Sequence, residues 1–463
     1  MLIHEDRLFP AEPATRAVAR ALYAQIKGLP IVSPHGHTQA AWFAKNEPFT
    51  DPATLFVQPD HYVFRMLLSQ GISMSNLEIG APEMKDARKV WRLFAKNYYL
   101  FRGTPTRMWL DFAFQELFGL MERLSEKTAD LFFDTISEKL RTPEFLPRTL
   151  YERFNLEVLA TTESPTDPLA DHKAILESGW KARILPNFRP DSVVDPEFTG
   201  FAANIALLGE QTGEDTATWT GYLNALAKAR ARFRQFGCTA TDHGHPTAQT
   251  ADLSTADASS LYGQVLAGNA GADKAELFRA QMLTEMARMS LDDGLIMQIH
   301  PGSKRNHNRQ VYERYGRDVG CDIPMATNYV DALHPLLNRF GNEVSLTIIL
   351  FTLDESTYSR ELAPLAGHYP CLRLGPAWWF HDSPEGMTRF REQTTETAGF
   401  YNTVGFNDDT RAFLSIPARH DVARRMDCAF LAKLVTEHRL DEDEAFEVAH
   451  ELTYGLVKRA YRL

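Results

Sequence analysis

Cysteine is scarce in this chain: Cys238, Cys321, Cys371 and Cys428 stand far apart, and no two form a C-x-x-C pair. That spacing argues against a disulfide framework or a zinc knuckle and predicts buried, inert thiols in a reducing compartment. No stretch approaches the ~18 apolar residues of a membrane-spanning helix. The opening MLIHEDRLFPAEP lacks the basic start and apolar core of a signal peptide. The expectation is a cytoplasmic protein with no membrane partner. Positive charge is also in deficit, 49 Lys and Arg against 60 Asp and Glu for a formal net charge of -11. A general nucleic-acid surface needs the opposite balance, so no nucleic-acid partner is expected. An anionic small substrate would have to be met by local arginines. Internal repeats, low-complexity segments and linkers are missing as well.

What is present is the composition of a globular protein, 44% apolar and 24% charged. A chain of 463 residues exceeds what one small core needs and implies a large barrel or several domains. Short β-rich runs alternate with longer amphipathic patterns. The runs are 31–37, 156–162, 182–188, 238–242, 295–300, 344–350, 372–377 and 404–408. Helical patterns between them include 219–236, 275–291, 327–340 and 384–400. Eight strands alternating with helices predict an α/β fold, a (β/α)₈ TIM-type barrel, whose functional groups should gather at the C-terminal ends of the strands. Residues 38–155 are too many for one crossover and contain helical patterns at 84–101, 106–124 and 128–140. They predict a helical subdomain inserted after the first strand. Residues 1–37 and 156–463 then form the barrel, with further helices from 416 to the end.

The strand ends carry the chemistry. Ile31-Val32-Ser33-Pro34-His35-Gly36-His37 sets two histidines one residue apart at the end of an apolar run. In an extended chain they face the same side, which is half of a divalent metal site. The third strand ends in Asn187 and Arg189, and the fourth in Asp242, His243 and His245. The fifth ends in His300, with Lys304 and Arg305 behind it, and the eighth in Asn407, Asp408, Asp409 and Arg411. Each such residue alone has an ordinary structural explanation. Their clustering at one rim is what points to a site. Trp378 and Trp379 fit either a wall against a sugar face or plain packing. The run Lys228, Arg230, Arg232, Arg234 has period two within a helical pattern and is expected to be solvated. His243, His245 and His307 are expected behind the site or on the surface, with His245 the first exception to consider as a ligand.

A His-x-His on the first strand with an aspartate at the end of the last resembles the amidohydrolase superfamily, and longer motifs resemble its uronate isomerase family. These are SPHGH at 33–37, DHY at 60–62, FRGT at 101–104, TTESP at 161–165, RPD at 189–191, TDHG at 241–244, QIHPGSKRN at 298–306, WWFHD at 378–382 and DDTRAFLS at 408–415. They run in order over nearly the whole chain. The resemblance implies interconversion of glucuronate with fructuronate and of galacturonate with tagaturonate. It implies one divalent metal ion, Zn²⁺ above others, on His35, His37 and Asp409. It further implies that Arg189, Asp242, His300, Arg305 and Arg411 line the substrate, with His61 and Tyr62 reaching in from the insertion.

The chemistry of such a reaction needs a base that removes a proton from C2 and returns it to C1 through an enediol. A carboxylate beside the metal suits that task, which assigns Asp409, with Tyr62 or His61 as the other candidate proton carriers. A bound ion would polarise a sugar oxygen or orient the substrate. Planar guanidiniums match a carboxylate better than ammonium groups do, so Arg189, Arg305 and Arg411 are assigned to the sugar acid or the enediolate, and Trp379 to its face. Binuclear hydrolases of the superfamily carry further ligands after the fourth, fifth and sixth strands. Here the fourth strand ends in Asp242-His243 and the sixth in Phe351-Thr352, which predicts a single metal. A mononuclear metal-dependent hydrolase or deaminase is the alternative function, and a non-catalytic metal or carbohydrate binder would not require so many acid and base groups. The sequence leaves the oligomeric state open, a homo-oligomer included.

Overall fold

The computed structural model describes residues 2–81 and 84–463. Two positions of the expected insertion, 82 and 83, and position 1 of the expected barrel segment lie outside them. Among the described residues nine strands form in chain order: β1 (Ile31–Ser33), β2 (Leu156–Glu163), β3 (Arg183–Phe188), β4 (Ala240–His243), β5 (Ile296–Ile299), β6 (Ser303–Lys304), β7 (Ile323–Pro324), β8 (Ile348–Leu350) and β9 (Leu372–Leu374). Seven of them make one curled parallel sheet in the order β1-β2-β3-β4-β5-β8-β9, and β6 and β7 make a small antiparallel ribbon. Strands buried on both faces read as continuous apolar runs. β8, Ile-Ile-Leu, is of this kind, and all three of its residues are buried.

The two edges of the sheet are joined by the segment that follows β9. Leu374 makes a single parallel bridge to Thr403, and further on the His37 N–H donates to the carbonyl of Thr410 at 3.0 Å. The expected eighth strand, 404–408, therefore does not form, and a single bridge at Thr403 just before it stands in its place. Gly405 supplies the reason: its φ of +76° leaves the extended region, and a Cβ there would lie 2.5 Å from the Leu452 carbonyl oxygen. The expected first strand also stops early, at Ser33, because Pro34 has no N–H to give to a ladder. The expected sixth strand begins only at Ile348, while Val344 stands in solvent.

Inside the curl, Val32, Val158, Ala240, Ile296, Ile349 and Val404 form one apolar cluster with Val457 and Tyr461 of the last helix, Leu456–Tyr461. The Tyr461 hydroxyl donates to Gln298 Oε1 at 2.9 Å and accepts from Asn407 Nδ2 at 3.1 Å. The C-terminal helix thus plugs the end of the sheet opposite the site. Outside, the long helices Trp219–Arg234, Ala272–Asp293 and Ile416–Thr436 cover the strands. Arg230 departs from the expected solvated run. It is fully buried, with its guanidinium on both Asp293 oxygens at 2.6 and 2.9 Å and on Ser290 Oγ at 2.9 Å.

Between β1 and β2 the described residues form only helices and turns. Their core is aromatic. Phe114 is fully buried within a π-helical turn, Ala113–Leu117, and packs on the rings of Phe132, Phe56, Trp91 and Tyr98 at 5.2–6.1 Å between centroids. The same cluster includes Ile31, Leu156, Leu159 and Ile184, so these helices share a core with the first strands. All four cysteines are free and buried. No helix among the described residues is long and apolar enough to cross a membrane. Truncation of Phe114 to Ala should cost ~3–5 kcal/mol, read as a lower denaturant midpoint. A loss below about 1 kcal/mol would show that this aromatic cluster does not hold the segment to the sheet.

Candidate active site

The loop after β1 is pinned on three sides before any functional group is considered. Asn187 Nδ2 on β3 donates to the Pro34 carbonyl at 3.1 Å, Thr162 Oγ1 on β2 donates to the Gly36 carbonyl at 2.9 Å, and Thr410 receives the His37 N–H. His35 and His37 leave this loop edge to face, 5.3 Å between ring centroids. Their Nε2 atoms lie 3.3 and 3.0 Å from Oδ1 of Asp409. Asp409 itself sits at φ +39°, a conformation that side chains rarely adopt and that local surroundings must enforce. Its other oxygen accepts from Trp378 Nε1 at 2.5 Å, which fixes the rotation of the carboxylate.

Oδ1 of Asp409 is buried and has no hydrogen-bond partner although two ring nitrogens lie beside it. Groups that converge without bonding one another suit a shared cation, and two imidazoles with one carboxylate are a donor set that a divalent metal accepts. A second trio, His35, Asp242 and His300, has the same potential and shares His35. His300 Nδ1 lies 2.8 Å from Asp242 Oδ1, off the axis of a hydrogen bond, so both atoms also lack partners. Burial alone would raise the Asp409 carboxyl, but His35 and His37 hold it well below the usual carboxylate range. Asp242 behaves likewise: burial opposes its charge, while Arg189, His35 and His300 keep it ionised. Burial lowers the pKa of His300.

A cavity of about 720 Å³ opens over these groups, lined by His35, His37, His300 and Asp409 together with Arg189, Arg305 and Arg411. The -11 chain thus concentrates guanidiniums here. Each of the three has an acidic neighbour. Arg189 bonds Asp191 Oδ2 at 2.9 Å and Asp242 Oδ2 at 3.0 Å, Arg305 bonds Asp322 at 2.8 Å, and Arg411 lies 3.5 Å from Asp318. The glycine of the TDHG motif follows from this packing, since a Cβ on Gly244 would lie 2.1 Å from Arg189 Nη2. Asp242 stands behind the cavity wall rather than on it, fully buried. Trp379 lines the cavity at φ +50°, with the Arg305 guanidinium 5.5 Å from its ring.

His61 and Tyr62 enter from the other side. They open the helix His61–Ser69, and Asp60 caps it by accepting from the Tyr62 N–H at 2.8 Å, so the DHY motif presents both side chains at a helix start. The Tyr62 hydroxyl donates to the Trp379 carbonyl at 3.1 Å. Burial raises the tyrosine pKa. Burial, reinforced by Arg411 and Arg419, pulls His61 down to about 3, so its imidazole is neutral near pH 7. Arg419 ties this side to the sheet, stacking 3.6 Å from the Trp109 ring centroid while bonding Asp382 at 2.5 Å and the Asp408 carbonyl at 3.3 Å. Asp408 turns away from the cavity to His420 Nε2 at 3.0 Å, leaving Asp409 as the aspartate of that pair beside the histidines.

His243 and His245 are buried, not at the surface, and only His307 is exposed. Glu163, Asp191 and Asp318 also line the cavity and were not singled out in the sequence. The RPD spacing could have marked Asp191, whereas Asp318 comes from an irregular segment without a motif.

A model of the glucuronate isomerase family matches residues 10–461. The chain is 65% identical over 461 residues to a uronate isomerase of Rhizorhabdus wittichii, covering 100% of this chain and 98% of that one. Among solved structures, the glucuronate isomerase of Caulobacter crescentus superposes with a TM-score of 0.98 at 59% identity, over 99% of this chain and 97% of the other. The uronate isomerase of Thermotoga maritima superposes with a TM-score of 0.93 at 28% identity over 100% of both chains. With the match spanning almost every residue, this chain belongs to the glucuronate isomerase family.

Proposed function

We propose that this chain interconverts aldose and ketose forms of hexuronic acids, glucuronate with fructuronate and galacturonate with tagaturonate. The observation that carries the reading is one cavity lined both by an ionised carboxylate, Asp409, and by three guanidiniums. That is what a sugar acid whose C2 proton must move requires. The curled sheet reads as a (β/α)₈ barrel whose eighth strand is worn down to a bridge, with 38–155 as the inserted helical subdomain.

His35, His37 and Asp409 would hold one divalent cation, Zn²⁺ in our reading, which supplies polarisation of a sugar oxygen or orientation of the substrate. Arg189, Arg305 and Arg411 bind the substrate carboxylate and offset charge on the enediolate oxygens. Asp409 takes the proton from C2; the C–H pair becomes the C1=C2 bond while the C1=O1 pair moves onto O1, which takes a proton from water. The same carboxylate then returns its proton to C1 as the O2 hydroxyl gives its proton to water and the C2 carbonyl forms, so the net change is one proton from C2 to C1 and one from O2 to O1. One base on one face of a cis-enediol serves both transfers. Tyr62 and His61 are the alternative carriers. His300 and Trp379 shape the pocket, and Asp242 acts through Arg189 and His300.

Purified, metal-replete protein incubated with glucuronate or galacturonate should form ketose, followed by reduction of the product or by NMR. No turnover of either sugar acid would overturn the reading. Asp409→Asn should lower kcat by ~10²–10⁴-fold with the fold retained by circular dichroism, and near-normal kcat would remove Asp409 as the base. Dialysis against a chelator should strip about one equivalent of metal, measured by elemental analysis, and His35→Ala should bind none. A full equivalent retained by His35→Ala would move the ion elsewhere.

A further inference from the structure

Glu163 is the last residue of β2 and lines the cavity, yet the reaction as drawn above does not use it. Its position is fixed from the next strand, because its own carbonyl accepts the Arg189 N–H at 2.9 Å. Its side chain is only 13% exposed. Oε2 is buried without any hydrogen-bond partner, and Oε1 lies 3.8 Å from Nε2 of His172, beyond hydrogen-bonding distance. That imidazole nitrogen is engaged instead with Thr161 Oγ1 at 2.9 Å. A carboxyl on the wall of a ligand-sized cavity, whose nearest hydroxyl, Thr161, is already engaged with His172, has room for a partner from the ligand.

The charges around it decide its protonation. Asp167 and Asp171 follow on the loop and helix after β2 and oppose a negative charge here. From the β3 side come Arg189 and Asp191, but the guanidinium is already shared between Asp191 and Asp242. His35 and His37, on the loop after β1, face Asp409. Burial pulls His172 down to about 4, so it brings no positive charge near pH 7. Burial pushes the Glu163 carboxyl from the ordinary 4.5 up to about 8, with the Thr161 hydroxyl opposing the rise and the two aspartates adding to it.

We propose that Glu163 is a further substrate-binding residue, which as a neutral carboxylic acid donates a hydrogen bond to a hydroxyl oxygen of the bound sugar acid. A carboxylate in its place would accept but not donate, and would repel an anionic substrate. The neutral acid therefore fits a site for a uronate better than the ion does. This inference rests on the isomerase reading of the same cavity and adds a specific contact to it.

The test compares wild type with Glu163→Gln, which keeps a neutral donor of the same shape, and Glu163→Ala, which removes it. Glucuronate turnover is followed from pH 6 to pH 9.5, at about half-unit steps around the expected transition near 8. Wild-type kcat/KM should fall above that transition, and in Glu163→Gln this alkaline limb should disappear with KM near the wild-type value at neutral pH. Glu163→Ala should raise KM about tenfold with kcat within about threefold. An unchanged KM in Glu163→Ala, or an alkaline limb that persists in Glu163→Gln, would overturn the assignment. Wild-type inactivity on both sugar acids would instead overturn the isomerase reading itself.

Stability supplies a second readout that needs no turnover. A folded-state value raised from 4.5 to about 8 means that the contribution of Glu163 to stability is full below 4.5 and is lost as pH rises to about 8. Wild type should therefore lose thermal stability relative to Glu163→Gln across that window. Parallel melting temperatures over the same range would show that Glu163 is not held neutral and would sink the proposal even if Glu163→Ala fails to fold.

Discussion

The site depends on one enforced arrangement, an ionised carboxylate held out of water between two imidazoles. Burying such a charge costs several kcal/mol unless the surroundings meet it. Here His35 and His37 stand on one side of Asp409, and the Trp378 indole N–H stands on the other. The arrangement also brings together parts of the chain that are far apart in sequence. The loop after β1 meets the 409–411 segment, where the His37 N–H bonds the Thr410 carbonyl. The positive φ of Asp409 is the local cost of that meeting, and the pinned loops on either side sustain it.

The cavity wall is completed by a second long-range device. Arg419 is fully buried and lies against Trp109 of the 38–155 segment while bonding Asp382 and the Asp408 carbonyl. A guanidinium is suited to that position because its plane can stack and its edges can donate at once. Tyr62 lies near the same group, 5.4 Å from it. The helix that carries His61 and Tyr62 is thereby registered against the segment that carries Asp409, so groups from separate parts of the chain share one cavity.

Much of this was legible because strand ends and helix starts leave local marks. The histidine pair, Arg189, His300, Arg305 and Arg411 all follow short apolar runs, and the Asp60-His61-Tyr62 order is itself a helix start with its cap. Other features left no such mark. Gly405 looks like an ordinary strand residue until the Leu452 carbonyl is found where its side chain would be. Arg230 lies in a run that reads as solvated, and only the position of Asp293 explains its burial. Trp378 was open to both a packing and a contact reading until Asp409 was seen beneath its indole nitrogen.

The sequence by itself determined the alternation of strands and helices, the rim at which ionisable groups gather, and the family through its ordered motifs. Those properties follow from local periodicity and from residue type, which are written along the chain. Only the tertiary structure decided which groups lose water and which find partners. It put Asp242 behind the wall and turned Asp408 toward His420. It also left Asp409 ionised while Glu163, a carboxyl on the same cavity, is driven toward neutrality. The reason is that burial and opposing charge are set by neighbours from distant segments, and no local pattern encodes the distance between them.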